Sequence, residues 1–335
     1  MRKLFILFIC FFLIACSEET SISEINANQM QRGTLDDAFE VTDFNSEKAF
    51  IGTTLFTDNH DPIHPRIVEV NMLGEIIWQY YLPENLKKYT NPGWDIEILN
   101  NTILTLLPGK GVYEINKTGG IVWSYIDAQV SHDADRFENG NTLITFGKQD
   151  TSEDAQLKEI DSKGNIVWTW HAKDLFWTDE YKDIMEEGWT HTNAVEEGLN
   201  NTFLVSLRNF NLIVEINKNG TLVRTIGKGL FFKQHDPEML DNGNILVADH
   251  GVPNKVWIID PATNEILWEY VCANKEEWPI RDANLLLNGN ILITGSTIIF
   301  EVTPDKEIVW KLVLTNGAFS KQEASSRGFF KAERI

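Results

Sequence analysis

One turn motif recurs along this chain and constrains its fold more than any other feature. In residues 231–250, His235-Asp236 leads through a short apolar run to Asn242-Gly243-Asn244 and then to a second apolar run. Four related copies begin at Trp94, His132, His191 and Arg281. Asn-Gly between two β-rich runs is the strongest short-range signal for a hairpin. Each copy is therefore predicted to run down one strand, turn and return.

A second motif indicates the number of repeats. Six apolar runs follow a turn and end in a large residue: Trp78, Trp123, Trp168, Arg224, Trp268 and Trp310. The steps between these residues are 45, 45, 56, 44 and 42. Blades of β-propellers repeat every 40–50 residues or so. The chain is therefore predicted to be an all-β, six-bladed β-propeller of four-stranded blades, with the recurring tryptophans packed between blades.

Two segments lie outside this regular pattern. The stretch 171–190 is longer than the other predicted inter-blade loops and carries several aromatic residues, among them Trp177 and Trp189. A long insertion on a rigid repeat usually lines a binding face. The tail, Ala318 to Ile335, is hypothesised to close the ring against the first blade.

The first residues have the features of a targeting segment. Arg2-Lys3 precede an apolar run from Leu4 to Ile14, which is too short to span a membrane. Leu13-Ile14-Ala15-Cys16 resembles the lipobox of bacterial lipoproteins, which implies cleavage before Cys16 and acylation of its thiol. An ordinary signal peptide is the alternative.

The expected domains are a lipoprotein signal peptide over 1–15, a flexible tether over 16–40 and the propeller over 41–335. Ser17, rather than Asp, follows the cysteine and favours the outer membrane of the cell envelope, on its periplasmic side or at the cell surface. Lipid on Cys16 would then hold the protein on the membrane. Cys272 would be the one cysteine left with a free thiol, so no intramolecular disulfide is expected.

The charge balance limits the partners. The chain has 49 acidic and 29 basic residues, a formal net charge of −20. Such a surface repels nucleic acid, so no nucleic-acid partner is expected. An anionic substrate would need a locally basic pocket.

The repeat places basic side chains together. The first strand of each propeller blade lines the central axis, so residues at equal phase form a ring around one mouth of the channel. That ring contains His132, His191, His235 and Arg281. The second strand returns antiparallel to the first. It should bring Arg208 beside His191, His250 beside His235 and Lys148 near His132.

Imidazole and guanidinium groups in such a ring suit a tetrahedral oxyanion. Three histidines could instead hold Zn²⁺ with an open fourth position. Two points argue against a metal. Arg208 would repel a cation, and side chains from different blades are spread around the channel, whereas the ligands of Zn²⁺ must lie close together. The sequence therefore favours the oxyanion, with no metal and no cofactor.

These residues resemble the motifs of the bacterial arylsulfotransferases. The resemblance is carried by His191-Thr192-Asn193, Ser206-Leu207-Arg208, Gln234-His235 and Ser131-His132-Asp133, and it covers most of residues 41–335. It implies a six-bladed propeller enzyme that transfers a sulfuryl group from an aryl sulfate to a phenol without a nucleotide sulfate donor. The implied small-molecule partners are an aryl sulfate and a phenol.

The resemblance also implies roles for single residues. His235 would be the nucleophile that carries a sulfohistidine intermediate. His132, His191 and Arg208 would hold the sulfuryl oxygens, and His191 would protonate the departing phenolate. Further candidates for substrate binding are Arg281, His250, Asn193, Trp177, Trp189 and Trp278.

The chain departs from the family pattern in two ways. It has neither the disulfide nor the separate N-terminal β-domain of some members, and Asp249-His250 stands where the family suggests Asp-Asn. A different class of function also stays open: a noncatalytic or repurposed propeller that binds an anionic ligand or a protein partner. A metal hydrolase is a third possibility.

Overall fold

Short hairpin strands, predicted from the recurring turns, make up almost all of the regular structure. The computed structural model describes residues 38–90, 93–272, 279–315 and 321–335. The signal peptide and Cys16, together with most of the tether, fall outside these residues. The strands are β1 Phe39–Phe44, β2 Thr54–Asp58, β3 Arg66–Val70, β4 Ile76–Tyr81, β5 Asp95–Ile98, β6 Thr102–Leu107, β7 Gly111–Asn116, β8 Ile121–Ile126, β9 Ala134–Arg136, β10 Thr142–Thr145, β11 Leu157–Ile160, β12 Ile166–Trp170, β13 Thr192–Glu197, β14 Thr202–Leu207, β15 Leu212–Asn217, β16 Leu222–Ile226, β17 His235–Met239, β18 Ile245–Asp249, β19 Asn254–Ile259, β20 Ile266–Cys272, β21 Ile280–Leu285, β22 Ile291–Gly295, β23 Ile298–Val302, β24 Ile308–Leu314 and β25 Phe329–Arg334.

These strands form six antiparallel sheets, and the predicted six-bladed propeller is confirmed. Blades 2 to 5 are β5–β8, β9–β12, β13–β16 and β17–β20, each in chain order from the innermost strand outward. The innermost strands of neighbouring blades contact one another in the cycle β25, β5, β9, β13, β17, β21 and back to β25. Residues at the start of these strands therefore face a common axis.

The turn chemistry explains the hairpin between the first two strands of a blade. Gly243 has a φ of +83° in the turn between β17 and β18, and Asn200 and Asn201 have φ of +58° and +61° in the corresponding turn of blade 4. Glycine and asparagine adopt this left-handed conformation at the lowest cost. The turns thereby set the register in which the second strand returns.

Both chain ends close the ring. The C-terminal strand β25 pairs with β2 and becomes the innermost strand of blade 1, as hypothesised for the tail. At the other end of the chain, β1 pairs with β24 on the outside of blade 6. Blade 6 therefore has five strands rather than the four we predicted, because β1 covers an edge that would otherwise expose unpaired backbone groups.

The recurring tryptophans link neighbouring blades. The indole N–H of Trp78 donates to the Lys117 carbonyl (2.8 Å), and that of Trp123 donates to the Ser162 carbonyl (3.1 Å). Trp268 and Trp310 make the same bond to the blade that follows each of them. Each of these tryptophans packs its ring between blades and satisfies its only polar atom there.

Helices are few and short. The α-helices Lys173–Phe176 and Lys321–Ala324 and the 3₁₀ helices Lys87–Tyr89 and Arg208–Phe210 each make about one turn. Across the described ranges, none of the helices has the length and apolar character needed to cross a bilayer.

A buried ion pair joins the last blade to the first. Arg334 on β25 lies 3.2 Å from Glu301 on β23, and both side chains are fully buried. Arg334 also donates to the Phe50 carbonyl and lies 4.5 Å above the Trp310 ring. Glu301 accepts a second bond from the Phe50 backbone N–H (2.7 Å). The ring closure is therefore held by side chains as well as by strand pairing.

We expect Arg334→Ala to lower the free energy of unfolding by about 3–5 kcal/mol, because it leaves the Glu301 carboxylate buried without its counter-ion. Urea denaturation measures this loss. Arg327→Ala is the matched control, since Arg327 pairs with Glu323 at the exposed surface. That variant should stay within about 0.5 kcal/mol of the wild type. A loss below about 1 kcal/mol for Arg334→Ala would contradict the proposed role of the ion pair.

Candidate active site

A cavity of about 730 Å³ opens at one mouth of the channel. Its lining includes side chains at or just before all six innermost strands: Phe330, Trp94, His132, His191, His235 and Arg281. Arg208, His250 and Asn193 line it as well. The structure therefore brings these predicted residues of the ring to one place.

His132 is held by a network of hydroxyl and backbone groups. Its Nδ1 lies 2.6 Å from Ser131 Oγ, which donates to the Thr192 carbonyl and accepts from the Lys148 backbone N–H. A hydroxyl that donates its proton to Thr192 accepts from a protonated Nδ1, and Nε2 then presents its lone pair. Gly93 packs against this ring so closely that a Cβ there would collide with it. The Ser131 network thus determines the tautomer.

His191 occupies a strained and well-supported position. Its φ is +47°, and its backbone N–H donates to the Asp150 carboxylate (3.2 Å). The same carboxylate accepts from the backbone N–H and the hydroxyl of Thr190. The His191 Nδ1 donates to the Glu187 carbonyl (3.1 Å), so its Nε2 is the free nitrogen. The His132 and His191 ring centroids are 4.9 Å apart.

Arg208 follows strand β14, which returns from the turn to the mouth of the cavity. Its Nη1 donates to Asn209 Oδ1 (3.1 Å), and Asn209 is in turn tied to the Gly188 carbonyl (3.0 Å). Among the described residues, no carboxylate forms an ion pair with Arg208. The Glu187 and Glu186 side chains are the acidic groups whose field reaches it. The guanidinium is therefore available to an incoming anion.

His235 begins strand β17 between two residues in left-handed conformations, Lys233 (φ +52°) and Asp236 (φ +46°). The His235 Nδ1 donates to the Lys233 carbonyl (2.8 Å), which leaves the Nε2 lone pair free. The ring of His250 stacks on the ring of His235, with centroids 4.0 Å apart and planes inclined by 21°. His250 Nε2 itself bonds the Ile280 carbonyl.

Burial keeps the four imidazoles neutral. It lowers the pKa of His191 to about 3, with Arg208 acting in the same direction, and it lowers the pKa of His250 to about 3. Burial also holds the pKa values of His132 and His235 well below their usual value, reinforced by His191 and His250 respectively. At neutral pH the site therefore contains uncharged imidazoles beside the permanently charged Arg208.

The other predicted substrate contacts divide into two groups. Asn193 is 5 % exposed and donates to the Gln234 carbonyl (3.0 Å), while its Oδ1 has no hydrogen-bond partner. That oxygen is buried within the cavity wall and is not exposed to the cavity. Arg281 lines the cavity, but its guanidinium donates to the Phe329 and Ala324 carbonyls and lies 3.7 Å above the Phe330 ring. Its donors therefore hold the C-terminal segment.

The aromatic residues of the 171–190 loop lie elsewhere. Trp189 is 1 % exposed in the core between blades 3 and 4, and it donates to the Tyr181 carbonyl (2.9 Å). The predicted substrate contact of Trp189 is therefore wrong, because its indole is buried in the core and cannot reach a substrate. Trp177 is half exposed against Trp189 and does not line the cavity, and its contact with substrate stays a prediction. Trp278 lies outside the described residues.

Phe232 lines the cavity, whereas the preceding residue, Phe231, does not. The Phe232 side chain is 49 % exposed, whereas Phe231 is buried and stacks on Trp257. The Phe232 backbone N–H donates to the Asp249 carboxylate (2.6 Å), which aims the ring at the cavity. The strand returning from the Asn-Gly turn thus decides which phenylalanine faces the site.

The innermost strands also carry an acidic set that the sequence analysis did not identify. Burial raises the pKa of Glu196 to about 8 and that of Glu97, Glu238 and Glu333 to about 7. Lys331 lies among them. The sequence held a signal, since four residues of the ring are followed directly by Asp: Trp94, His132, His235 and Arg281. Carboxyl groups that keep their protons add little negative charge beside the imidazoles.

Metal binding was the alternative to an oxyanion. In the part of the chain that the structure describes, no group of three or more His, Cys, Asp and Glu side chains is placed to hold a metal ion. The imidazoles and the Arg208 guanidinium therefore give the cavity a polar lining, and Phe232 gives it an aromatic one.

Comparison with protein families gives one match. Residues 40–242 match the family described as Arylsulfotransferase (ASST). The matched range covers more than half of the chain and contains His132, His191, Arg208 and His235, but ends before His250. No curated protein matches the chain.

Solved structures of similar fold have low sequence identity. A protein of unknown function from Bacteroides caccae is 17 % identical with a TM-score of 0.54, and the match covers 78 % of this chain and 93 % of that one. A streptogramin B lyase is 15 % identical (TM-score 0.52; 83 % and 88 % covered). Virginiamycin B lyase from Staphylococcus aureus is 13 % identical (TM-score 0.51; 85 % and 91 % covered). At this identity the likeness concerns the fold alone.

Proposed function

Since the chain belongs to the arylsulfotransferase family, we propose that it transfers a sulfuryl group from an aryl sulfate ester to a phenol through a sulfohistidine on His235. One observation carries the proposal: three imidazoles with free Nε2 atoms lie in one cavity with the unpaired Arg208 guanidinium. No nucleotide sulfate donor is needed, because the aryl ester itself supplies the sulfuryl group.

The hydrogen bond to the Lys233 carbonyl supports His235 as the nucleophile. It keeps the ring proton on Nδ1, so the Nε2 lone pair is available for attack on sulfur. The low pKa of His235, caused first by burial and then by its neighbour His250, keeps that lone pair unprotonated at neutral pH. His132 and His191 are tied in the same tautomer and line the same cavity, where they can hold the transferring group.

Arg208 supplies the fixed charge for the sulfuryl oxygens. An oxyanion beside His132 and His191 favours their protonated forms, which raises their pKa values and turns each Nε2 into a donor. Donors that are already in place stabilise charge that develops during transfer at little reorganisation cost. Binding of the anion thus causes His132 and His191 to take up protons, and the protonated imidazoles become further donors to the anion.

The His235 Nε2 lone pair forms the N–S bond while the S–O bond to the aryl group breaks, and its electron pair leaves with the phenolate oxygen. That oxygen takes the Nε2 proton of His191, so the first product leaves as a phenol. An acceptor phenol then loses its proton to His191 and attacks sulfur, and the N–S electron pair returns to His235.

The apolar part of the cavity suits an aryl group. Phe232 lines the cavity with a half-exposed ring, and Val252, which also lines it, is almost fully exposed. An aromatic ring packed against them buries apolar area and can stack on Phe232.

We predict that incubation with a chromogenic aryl sulfate leaves a sulfuryl adduct on a peptide containing His235, and that phenol discharges it. His235→Ala should lower turnover by at least about a thousandfold, as removal of a nucleophile does elsewhere. Peptide mass spectrometry and phenol-dependent colour release are the measurements. His64→Ala, at an exposed histidine paired with Asp61, should keep full activity. A wild-type protein without turnover on any aryl sulfate would favour a noncatalytic propeller.

We also predict that inorganic sulfate, an unreactive oxyanion, binds with uptake of protons. Free His191 has a pKa of about 3, and the bound anion raises it. The complex therefore holds more protons than the free protein above pH 3, and affinity should fall as the pH rises from 5 to 8. Titration calorimetry in buffers of different ionisation enthalpy measures the uptake, which His191→Asn should reduce. Equal heats in all buffers would contradict the scheme.

Finally, we propose that the protein is a cell-envelope lipoprotein of the outer membrane, anchored by acylated Cys16. The lipobox-like Leu13-Ile14-Ala15-Cys16 supports this. Cys16→Ser should move the protein from the detergent-extracted membrane fraction to the soluble fraction, measured by fractionation and blotting. Equal membrane association of variant and wild type would argue against the lipid anchor.

A further inference from the structure

Among the residues that the structure describes, His250 is the one whose ring lies face to face with the His235 ring. The centroids are 4.0 Å apart and the planes are 21° from parallel. In this geometry the two imidazoles cannot hydrogen-bond to each other. Any influence of His250 on His235 must therefore act through the faces of the rings.

His250 is fixed at both its backbone and its side chain. Its backbone N–H donates to the Phe232 carbonyl (3.1 Å), while the adjacent Asp249 carboxylate accepts the N–H groups of Phe232 and Gly251. The ring Nε2 bonds the Ile280 carbonyl and therefore carries the ring proton. The ring is thus held by blades 5 and 6 together, independently of any substrate.

The surroundings keep His250 uncharged. Burial lowers its pKa most, and the cationic groups of Arg208, Arg281 and Lys233, from three different elements, lower it further. Its one compensating contact is the Ile280 carbonyl. A neutral, electron-rich ring face is therefore the only surface that His250 offers to His235.

Attachment of a sulfuryl group changes the charge of the His235 ring. Because Nδ1 keeps its proton on the Lys233 carbonyl, a bond from Nε2 to sulfur turns the imidazole into an imidazolium. A cation is attracted to the face of an aromatic ring and repelled by another cation. A neutral ring in parallel contact stabilises the sulfurylated state relative to the free one.

We propose that His250 is a positioning residue, which holds the His235 ring with Nε2 towards the substrate and stabilises the imidazolium formed there through its ring face. This reassigns His250 from the substrate contact expected from the sequence. The inference depends on the proposed sulfohistidine chemistry. It concerns a residue outside the range that matches the family.

The test compares His250→Phe with His250→Leu in the full-length protein. The two variants have similar volume and both lose the bond to the Ile280 carbonyl, but Phe keeps an aromatic face. Burst release of phenol from a chromogenic aryl sulfate, without acceptor, gives the rate of adduct formation. We expect the Leu variant to lose about tenfold in this rate and in kcat with KM unchanged, and the Phe variant to stay within about threefold of wild type.

A third variant, His250→Gln, retains a side-chain donor for the Ile280 carbonyl at the position of Nε2 but has no ring, and it should behave like the Leu variant. Equal rates for Phe and Leu, or wild-type rates for Gln, would overturn the role of the ring face. Melting temperatures identify a variant that fails to fold, in which case the remaining pair decides. If the wild type forms no adduct, the sulfohistidine proposal fails and the role of His250 falls with it. Adduct formation by the wild type with no difference among the variants defeats the inference alone.

Discussion

Closure of the ring by strand pairing is the constraint on which the rest of the molecule depends. No blade buries its own faces, so the sheets are stable only when each packs against two neighbours. The backbone bonds of β25 to β2 and of β1 to β24 convert an open row of sheets into a disc. Only in a disc do the first strands of blades 3, 4 and 5 point at one cavity. The convergence of His132, His191 and His235 is therefore a property of the closed ring.

The local chemistry of the cavity runs against the overall charge of the protein. The chain has a formal net charge of −20, yet neutral imidazoles and Arg208 line the cavity in which we propose that an oxyanion binds. Two features reconcile these facts. Burial raises the pKa of Glu196 to about 8 and that of Glu333 to about 7, so bound protons neutralise part of their charge, and Lys331 lies 2.7 Å from the Asp236 carboxylate. The acidic surface thus coexists with a site that an anion can enter.

Much of the fold and the core of the site could be predicted from the sequence, for a physical reason. A strand has a side-chain period of two and an Asn-Gly turn sets its register, so His132, His191 and His235 could be placed on one ring before any coordinates. The position of Arg208 beside His191 followed from the antiparallel return of β14 after the turn. These predictions use only short-range geometry, which the chain specifies locally.

The rest depended on contacts between residues distant in sequence. The fifth strand of blade 6 pairs residues 39–44 with residues more than 260 positions away, and neither segment contains a motif that predicts this pairing. Trp189 looked like a substrate contact, but the course of its loop is set by Asp150, some 40 residues earlier. The stack of His250 on His235 depends on the Ile280 carbonyl of the next blade. Side-chain direction in loops is decided by tertiary partners.

The position of the ring closure also determines which part of the disc can deform most easily. The junction lies between blades 6 and 1, whereas the three imidazoles come from blades 3, 4 and 5, each built from four strands consecutive in sequence. Fraying of a terminal strand would loosen the rim near Arg281 and Phe330 and leave the spacing of the imidazoles intact. The wall that can widen for a bulky ring is then separate from the wall that must stay rigid while bonds are exchanged.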